Sequence, residues 1–251
     1  MKKWTIFLAA FGLVLCACNK EEKVDSSDIV GEWENAISSF NMSVTLTQDG
    51  KYIENTMGKE VKGTWSLNKD SVLHIEPENE DPVDCDVKIL GGKAAMVLGY
   101  GDDSSYERSL FYKKGAQVKS GALKDGRYDA PHNGIKGNDD RTVTFIVKGN
   151  NMEMYVHAWG QHYKGTYKIE NGYLKYDITW GEHGEDVVNG GWFAGQAQID
   201  FENFTFGNPN YKWMEGYGYK DLFSSFPLCV SDDGKDAYMA VAGLTRWLYL
   251  R

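Results

Sequence analysis

The sequence predicts an all-β protein built from two consecutive small antiparallel meander β-barrels. Glycine is abundant, at 28 of 251 residues, and proline is scarce, at 5. Apolar residues alternate in short runs between turn signals, which is typical of half-buried strands and leaves little room for helices. Several motifs also occur twice in one order, which indicates a duplicated unit. They are GEW at 31–33 and GRY at 126–128, KGTW at 62–65 and KGTY at 164–167, and basic, aromatic-rich strands at 108–112 and 246–249.

The first copy, residues 28–113, contains eight candidate strands. Links such as 48–50, 57–58 and 91–92 contain glycine, which takes positive φ without strain in tight turns. Eight short antiparallel strands within about 85 residues can close into a barrel, which removes the exposed sheet edges. The predicted strands are 31–35, 42–47, 51–56, 60–67, 72–76, 85–90, 93–98 and 106–112.

The second copy, residues 123–251, follows a polar linker at 114–122. The linker is a plausible hinge, although the two barrels could also pack against each other. Strands 152–158 and 162–169 flank a predicted two-residue turn at Trp159-Gly160, which pairs His157 with His162. In this register both apolar sets lie on one side, as a half-buried sheet requires, and the histidines face solvent on the other side.

The second copy differs from the first chiefly by an insertion at 180–226, after its fifth strand. Twelve of these residues are aromatic, and they are interleaved with glycine and asparagine. A long insertion on a barrel rim is a frequent place for a binding surface, but the rings could equally extend the core. Four rings lie beside glycine or polar residues and are the predicted ligand-binding residues: Trp180, Trp192, Tyr211 and Trp213.

The N-terminus has the pattern of a secretion signal over residues 1–17. Two lysines precede an apolar run at 4–17 that is too short to span a bilayer. The run ends in Leu15-Cys16-Ala17-Cys18, which resembles the lipobox of bacterial lipoproteins. The resemblance implies cleavage before Cys18, acylation of its thiol and a lipidated tether over 18–27. The NKEEK segment at 19–23 resembles the surface-export signal of Bacteroidota lipoproteins, although a plain charged tether is the alternative.

The charge of the chain indicates which partners it can bind, and its cysteines indicate its redox state. The formal net charge is −9, and removal of residues 1–17 with their two lysines makes it about −11. An acidic protein repels phosphate backbones, so no nucleic-acid partner is expected. Cys85 and Cys229, one in each copy, remain after Cys18 and could be bridged or be two buried free thiols.

The Gly-x-Trp on the first strand and the arginine on the last resemble the lipocalin superfamily, most closely the short lipocalin-like domains of Bacteroidota lipoproteins. The resemblance implies that Trp33 packs against Arg108, and Tyr128 against Arg246, to close one end of each barrel. Such a contact is a cation–π interaction. Tyrosine at 128 departs from the family's tryptophan.

The sequence lacks the motifs of common enzymes, with no G-x-S-x-G, no H-E-x-x-H and no phosphate loop. The histidines of the second half lack metal-ligand spacing. We therefore expect no cofactor and a noncatalytic, outer-membrane, lipid-anchored protein. It would bind a small apolar or amphipathic molecule, or a glycan, in the second barrel. The alternative is a protein–protein adaptor of a cell-surface complex, and a weak enzyme of envelope metabolism is a third reading.

Overall fold

The computed structural model describes residues 23–100, 107–131, 141–157, 160–186, 199–200, 205–206, 211–241 and 244–251. Within these ranges the chain forms two consecutive eight-stranded antiparallel barrels. Helix in this part of the chain is confined to short turns, and no described helix is long and apolar enough to cross a membrane. The all-β prediction is confirmed.

The first barrel is a simple up-and-down meander that closes through pairing of its first and last strands. The predicted strands are all present, with ends that agree within two residues. A short helix, α1 (Ser26–Ile29), capped by the Asp25 side chain, begins within the segment predicted as tether. The strands are β1 (Gly31–Asn35), β2 (Met42–Leu46), β3 (Lys51–Thr56), β4 (Lys59–Leu67), β5 (Val72–Pro77), β6 (Val83–Leu90), β7 (Ala95–Tyr100) and β8 (Glu107–Lys113).

The second barrel repeats this meander, and the insertion separates its fifth and sixth strands. Its strands are β9 (Gly126–Pro131), β10 (Arg141–Lys148), β11 (Asn151–Val156), β12 (Gln161–Glu170), β13 (Tyr173–Asp186), β17 (Ser225–Val230), β18 (Asp236–Val241) and β19 (Leu244–Leu250). The insertion contributes β14 (Ile199–Asp200), β15 (Thr205–Phe206), β16 (Tyr211–Glu215) and α2 (Lys220–Phe223).

The repeated glycines stand where neighbouring backbone comes too close for a side chain. A Cβ on Gly63 would lie 2.8 Å from the Cα of Pro77, and a Cβ on Gly165 would lie 2.8 Å from the carbonyl carbon of Asp177. Both distances are far below ordinary van der Waals contact. The glycines that open each copy, Gly31 and Gly126, share a positive φ of 141° and 144°. The duplicated motifs are therefore requirements of the barrel backbone.

The predicted register between β11 and β12 is wrong by two residues. Val156 pairs with Gln161 and Tyr155 with His162, because the connection is a longer turn in which the Gly160 amide donates to the His157 carbonyl. A shift of two positions preserves the faces of both strands. Met154 therefore lies opposite Tyr163 rather than Gly165, and both side chains remain on the core face that the apolar pattern predicted.

The predicted closure pairs are not formed. Trp33 is buried, but its ring lies 5.2 Å from the Lys113 ammonium, because the register places Trp33 beside Lys113. Arg108 lies five positions earlier on the strand, with its guanidinium 5.5 Å from the ring of Trp247 in the other barrel.

A similar offset along the closing strand separates Tyr128 from Arg246. Tyr128 lies opposite Leu250, and its hydroxyl donates to the Gly234 carbonyl. Arg246 lies four positions earlier, opposite Met239. Trp33 and Tyr128 are both buried. Each lies beside the last residue of the strand that closes its barrel, Lys113 of β8 or Leu250 of β19.

The two barrels pack tightly, so the linker is not a hinge. The Lys119 amide donates to the Gly91 carbonyl, and the Val118 amide donates to Asn171 Oδ1 at 2.8 Å. An apolar cluster fills the interface, and Cys229 belongs to it, whereas Cys85 lies in the first barrel's core. Both thiols are free. The interface cluster comprises Ala36, Ala94, Ala95, Val97, Leu110, Val118, Cys229, Tyr238 and Ala240.

Candidate functional site

The structure brings three of the four predicted ligand-binding residues to one β-ribbon. Strand β13 does not end at the predicted start of the insertion but continues to Asp186, where it pairs with β16. We call Glu182–Asp186 paired with Tyr211–Glu215 the insertion ribbon. Trp180 lies in β13 at its base, and Trp213 and Tyr211 occupy alternate positions of β16 in register with Gly184 and Asp186.

A position beside glycine or polar residues does not place these aromatic residues outside regular strands. Trp180, Tyr211 and Trp213 all belong to strands. The fourth predicted residue, Trp192, lies outside the described residues, as does the predicted lipidation site Cys18.

A β-bulge determines which way Trp180 faces. The pairing of β12 with β13 jumps from Gly165–Ile178 to Lys164–Trp180, which leaves one extra residue in β13. Such an insertion reverses the alternation of side chains beyond it. Ile178 therefore faces the core, whereas Trp180 and Glu182 share the outer face of the barrel with His162.

A compact polar and aromatic cluster surrounds Trp180. The His162 ring stacks on Tyr155 at 3.9 Å between centroids and meets the Trp180 ring edge-on at 4.9 Å. Lys164 Nζ lies 5.1 Å from the centre of the Trp180 ring. We call these residues, with the two glutamates that contact the imidazole, the His162 cluster. Its members are Glu153, Tyr155, His162, Lys164, Trp180 and Glu182.

The imidazole of His162 links two carboxylates from neighbouring strands. Its Nδ1 lies 3.1 Å from Glu182 Oε1, and its Nε2 lies 3.2 Å from Glu153 Oε2. Burial lowers the pKa of His162, and the two carboxylates oppose that shift. A neutral imidazole has one N–H and donates to only one carboxylate at a time. The imidazole therefore bridges Glu153 and Glu182 at the base of the ribbon.

Glu153 is held ionised by its neighbours. Burial raises its pKa, but hydrogen bonds from His162 and Tyr155 and the charge of Lys164 outweigh burial, so the pKa lies below its usual range. Lys164 Nζ is 3.4 Å from Glu153 Oε2. The exposed edge of the cluster therefore presents fixed carboxylates and an ammonium beside a half-buried indole.

Part of the outer face of the second barrel is buried, although the alternation of the sequence predicted that its side chains would be exposed to solvent. Cross-strand pairing links Asp129, Thr144, Tyr155 and His162 in one row, and none of them is more than 2% exposed. His157 is also buried, so the prediction of solvent-facing histidines is wrong. The alternation of one strand identifies its two faces, but it does not report what other segments cover them.

The buried row is a hydrogen-bonded network. Thr144 donates to Asp129, which also accepts from Arg127 Nε at 3.1 Å and forms an ion pair with Arg251. His157 Nε2 lies 3.2 Å from Thr144 Oγ1. Burial, assisted by the charge of Arg127, lowers the pKa of His157 to about 3. His157 is therefore neutral at physiological pH.

Side chains fill the described interior of the second barrel below the ribbon. Tyr163 donates to Gln161, whose Oε1 also accepts from the Tyr219 amide at 3.3 Å. Phe223 of α2 is buried, with its ring 5.8 Å from that of Tyr163. Helix α2 therefore covers this end of the barrel, and Phe223 and Phe226 belong to the core.

Protein-family models give no match to the chain, and curated proteins give no match either. Among the residues that the structure describes, no group of three or more histidine, cysteine or acidic side chains is arranged to hold a metal ion. The fold defines the class, a tandem of two packed eight-stranded antiparallel barrels. A fold of this kind hosts many functions, so function has to be inferred from the chemistry of the sites.

Proposed function

We propose that the protein is a noncatalytic, lipid-anchored envelope protein that binds a small amphipathic molecule or a glycan at the insertion ribbon. The observation that carries the proposal is the position of Trp180 within the His162 cluster, at the base of the ribbon whose strand β16 contains Tyr211 and Trp213. The filled barrel interior favours the outer face of the ribbon over the inside of the barrel.

The chemistry of the cluster suits a ligand with an apolar face and hydroxyl groups. An indole packs against apolar ligand surface, and carboxylates accept hydrogen bonds from hydroxyls. Lys164 donates in return, so Glu153, Glu182 and Lys164 together offer both kinds of partner. This mixture resembles the few polar groups on an apolar surface that orient ligands in small-molecule sites.

The proposed anchor rests on the sequence of the N-terminus. Acylation of Cys18 with several chains would hold the protein stably at a membrane. The resemblance to lipocalin-like lipoproteins supports an outer-membrane address, with the NKEEK segment favouring the cell surface. Mass spectrometry of the N-terminal peptide from native cells tests the anchor. A Cys18 without a lipid, or a protein that still begins at Met1, would refute it.

Native mass spectrometry tests ligand binding. The full-length protein in detergent is exposed to a lipid and glycan extract of its own cells, beside the variants Trp180→Ala and Trp213→Ala. We expect one discrete added mass that both variants lose, with Trp65→Phe in the first barrel as the matched control. If neither ribbon variant loses any added mass that the parent shows, the ribbon is excluded as the binding surface.

An adaptor role is the second candidate, because β16 is the terminal strand of its nine-stranded sheet among the residues that the structure describes. An edge strand offers unpaired backbone groups to a strand from another protein. In this case crosslinking in whole cells would yield one stoichiometric partner through β16, and Lys212→Pro would abolish the crosslink. A clean spectrum without added mass would favour this role over ligand binding.

A further inference from the structure

The two packed barrels enclose a cleft of about 810 Å³ that is separate from the insertion ribbon. One wall is formed by β6, β7 and β8 of the first barrel, and the other by β18, β19 and the turn before β18. Its volume falls within the range of sites for drug-sized ligands, and interfaces between domains are a preferred place for such sites. The side chains that matter most are Asp86, Lys88, Arg108, Asp236, Tyr238 and Trp247.

Trp247 is the main aromatic surface of the cleft. It is half-buried, its Nε1 donates to Asp236 Oδ1 at 2.8 Å, and the Arg108 guanidinium lies 5.5 Å from its ring centre. The indole is therefore held in one orientation by a carboxylate from its own barrel and a cation from the other. A pre-oriented ring loses little conformational entropy when a ligand packs against it.

The floor of the cleft is tightly packed. Val97 and Tyr238 line the cleft and also belong to the apolar interface between the barrels, where both are nearly fully buried. On the linker side, Ser120 Oγ accepts from the Val230 amide at 2.7 Å, and Gly121 donates to the Val230 carbonyl. The apolar interface therefore joins the two walls, and the cleft is present in the structure without a ligand.

The charges of the lining indicate the kind of ligand that fits. Five aspartates and three basic residues line the cleft, and they include Asp86 beside Lys88 on β6 and Arg108 beside Asp236 across Trp247. An anion would meet the aspartates, and a cation would meet Arg108 and Lys88. A hydroxyl group both donates and accepts, so it satisfies carboxylates and cations alike.

We propose that this cleft is a binding site for an uncharged oligosaccharide, with Trp247 packing against a sugar face and Asp236, Asp86 and Arg108 bonding its hydroxyls. The site is built from both barrels, so neither barrel contains it alone. It does not depend on the insertion ribbon, because the two sites have no residue in common.

The N-terminal segment bears on the source of the saccharide. Val24 lines the cleft, and its amide donates to Ser71 Oγ at 3.0 Å. If Cys18 carries the lipid, five residues separate it from Val24, and the six steps along the chain span about 20 Å at most. The ligand is a neutral sugar in either of two cases. It is free in solution, or it is the head group of a glycolipid in the same membrane.

Isothermal titration calorimetry and vesicle co-flotation test the site. The full-length protein in detergent is titrated with neutral trisaccharides of glucose, galactose, mannose and N-acetylglucosamine. In a second arm the protein is mixed with phosphatidylcholine vesicles with and without a digalactosyl lipid. Binding of a trisaccharide indicates a free sugar as the source, and enrichment only on glycolipid vesicles indicates a head group.

Three variants connect any binding to the cleft. Trp247→Leu removes the ring, and Asp232→Trp narrows the cleft from an exposed turn position, so it tests the site even if Trp247→Leu folds poorly. Each should weaken binding by about tenfold or more, the effect of losing an aromatic contact or fit. Trp180→Leu at the ribbon is the matched control and should bind as the parent does.

Several results would overturn the proposal. They are the failure of every neutral sugar in both arms, unchanged affinity in both Asp232→Trp and Trp247→Leu, or a loss of affinity in Trp180→Leu. Spermine binding in place of the sugars would also overturn it, because it would assign the cleft to cations. A loss of ribbon binding alone leaves these results unaffected, so the two proposals fail independently.

Discussion

Replacement of Gly165 by alanine should destabilise the second barrel strongly. The new Cβ would lie 2.8 Å from the carbonyl carbon of Asp177, closer still to its oxygen, and 3.0 Å from the Cα of Ile178, where ordinary contact begins at 3.4 Å. All three atoms are backbone, so no side-chain rotation relieves the overlap. Strands β12 and β13 would have to separate locally.

The size of the destabilisation follows from the backbone hydrogen bonds that are broken when β12 and β13 separate. Strand spacing is set by the ladder hydrogen bonds, and each contributes about 1 kcal/mol net. The loss of two such bonds next to the β13 bulge, with the strain of overpacking, gives a loss of about 3 kcal/mol in the free energy of unfolding. For a chain of this size that corresponds to a fall in Tm of about 6–12 °C.

Urea unfolding of the purified protein measures this change. Gly149→Ala is the matched control, because Gly149 has a positive φ of 58° but no neighbour within 4 Å of an added Cβ. It should lose only the left-handed backbone preference, about 1 kcal/mol. Gly63→Ala should match Gly165→Ala in the first barrel. A Gly165→Ala variant within about 0.5 kcal/mol of the parent would refute the close-approach explanation of the repeated motif.

Three further predictions concern titration, thiol chemistry and barrel closure. Burial lowers the pKa of His157 from 6.5 to about 3, so the unfolded chain binds a proton in this window that the folded chain excludes. The free energy of unfolding should therefore fall as the pH drops below 6.5, by about 2–3 kcal/mol at pH 4.5. Urea unfolding at several pH values measures this fall, and His157→Gln should reduce it. The same dependence on pH in the variant and the parent would contradict the prediction. Burial raises the pKa of both Cys85 and Cys229 to about 12, so Ellman's reagent should label neither thiol before unfolding, and rapid labelling in native buffer would argue against the packed interface. Lys113→Met should cost about 1 kcal/mol through its contact with Trp33, and unchanged stability in this variant would argue against a contribution of that contact to barrel closure.

Much of the first barrel is predictable because its information is local. Alternation with a period of two identifies the faces of each strand, and glycine in turns such as Gly91-Gly92 identifies the ends. The structure confirms the eight strands of this copy within two residues. The second copy follows the same rules up to β13, where the insertion begins.

The details that the sequence did not predict are a bulge and shifts of a few residues in register. The bulge in β13 moved Trp180 to the outer face, and the longer turn after His157 shifted the pairing of β11 by two positions. In each closing strand the residue beside the first-strand aromatic was the last one, Lys113 or Leu250. Such shifts change no local pattern, so neither composition nor periodicity reports them.

The sequence by itself determined the fold class, the duplication, the strand order and the positions of the core residues. These depend on the burial of apolar side chains at a spacing that the backbone imposes within each strand. Only the tertiary structure decided which outer faces are covered and that the linker packs. It alone placed Arg108 beside Trp247 across the cleft. Those features arise between segments far apart in the chain, and the contact energies that select them belong to pairs of surfaces rather than to any one stretch of sequence.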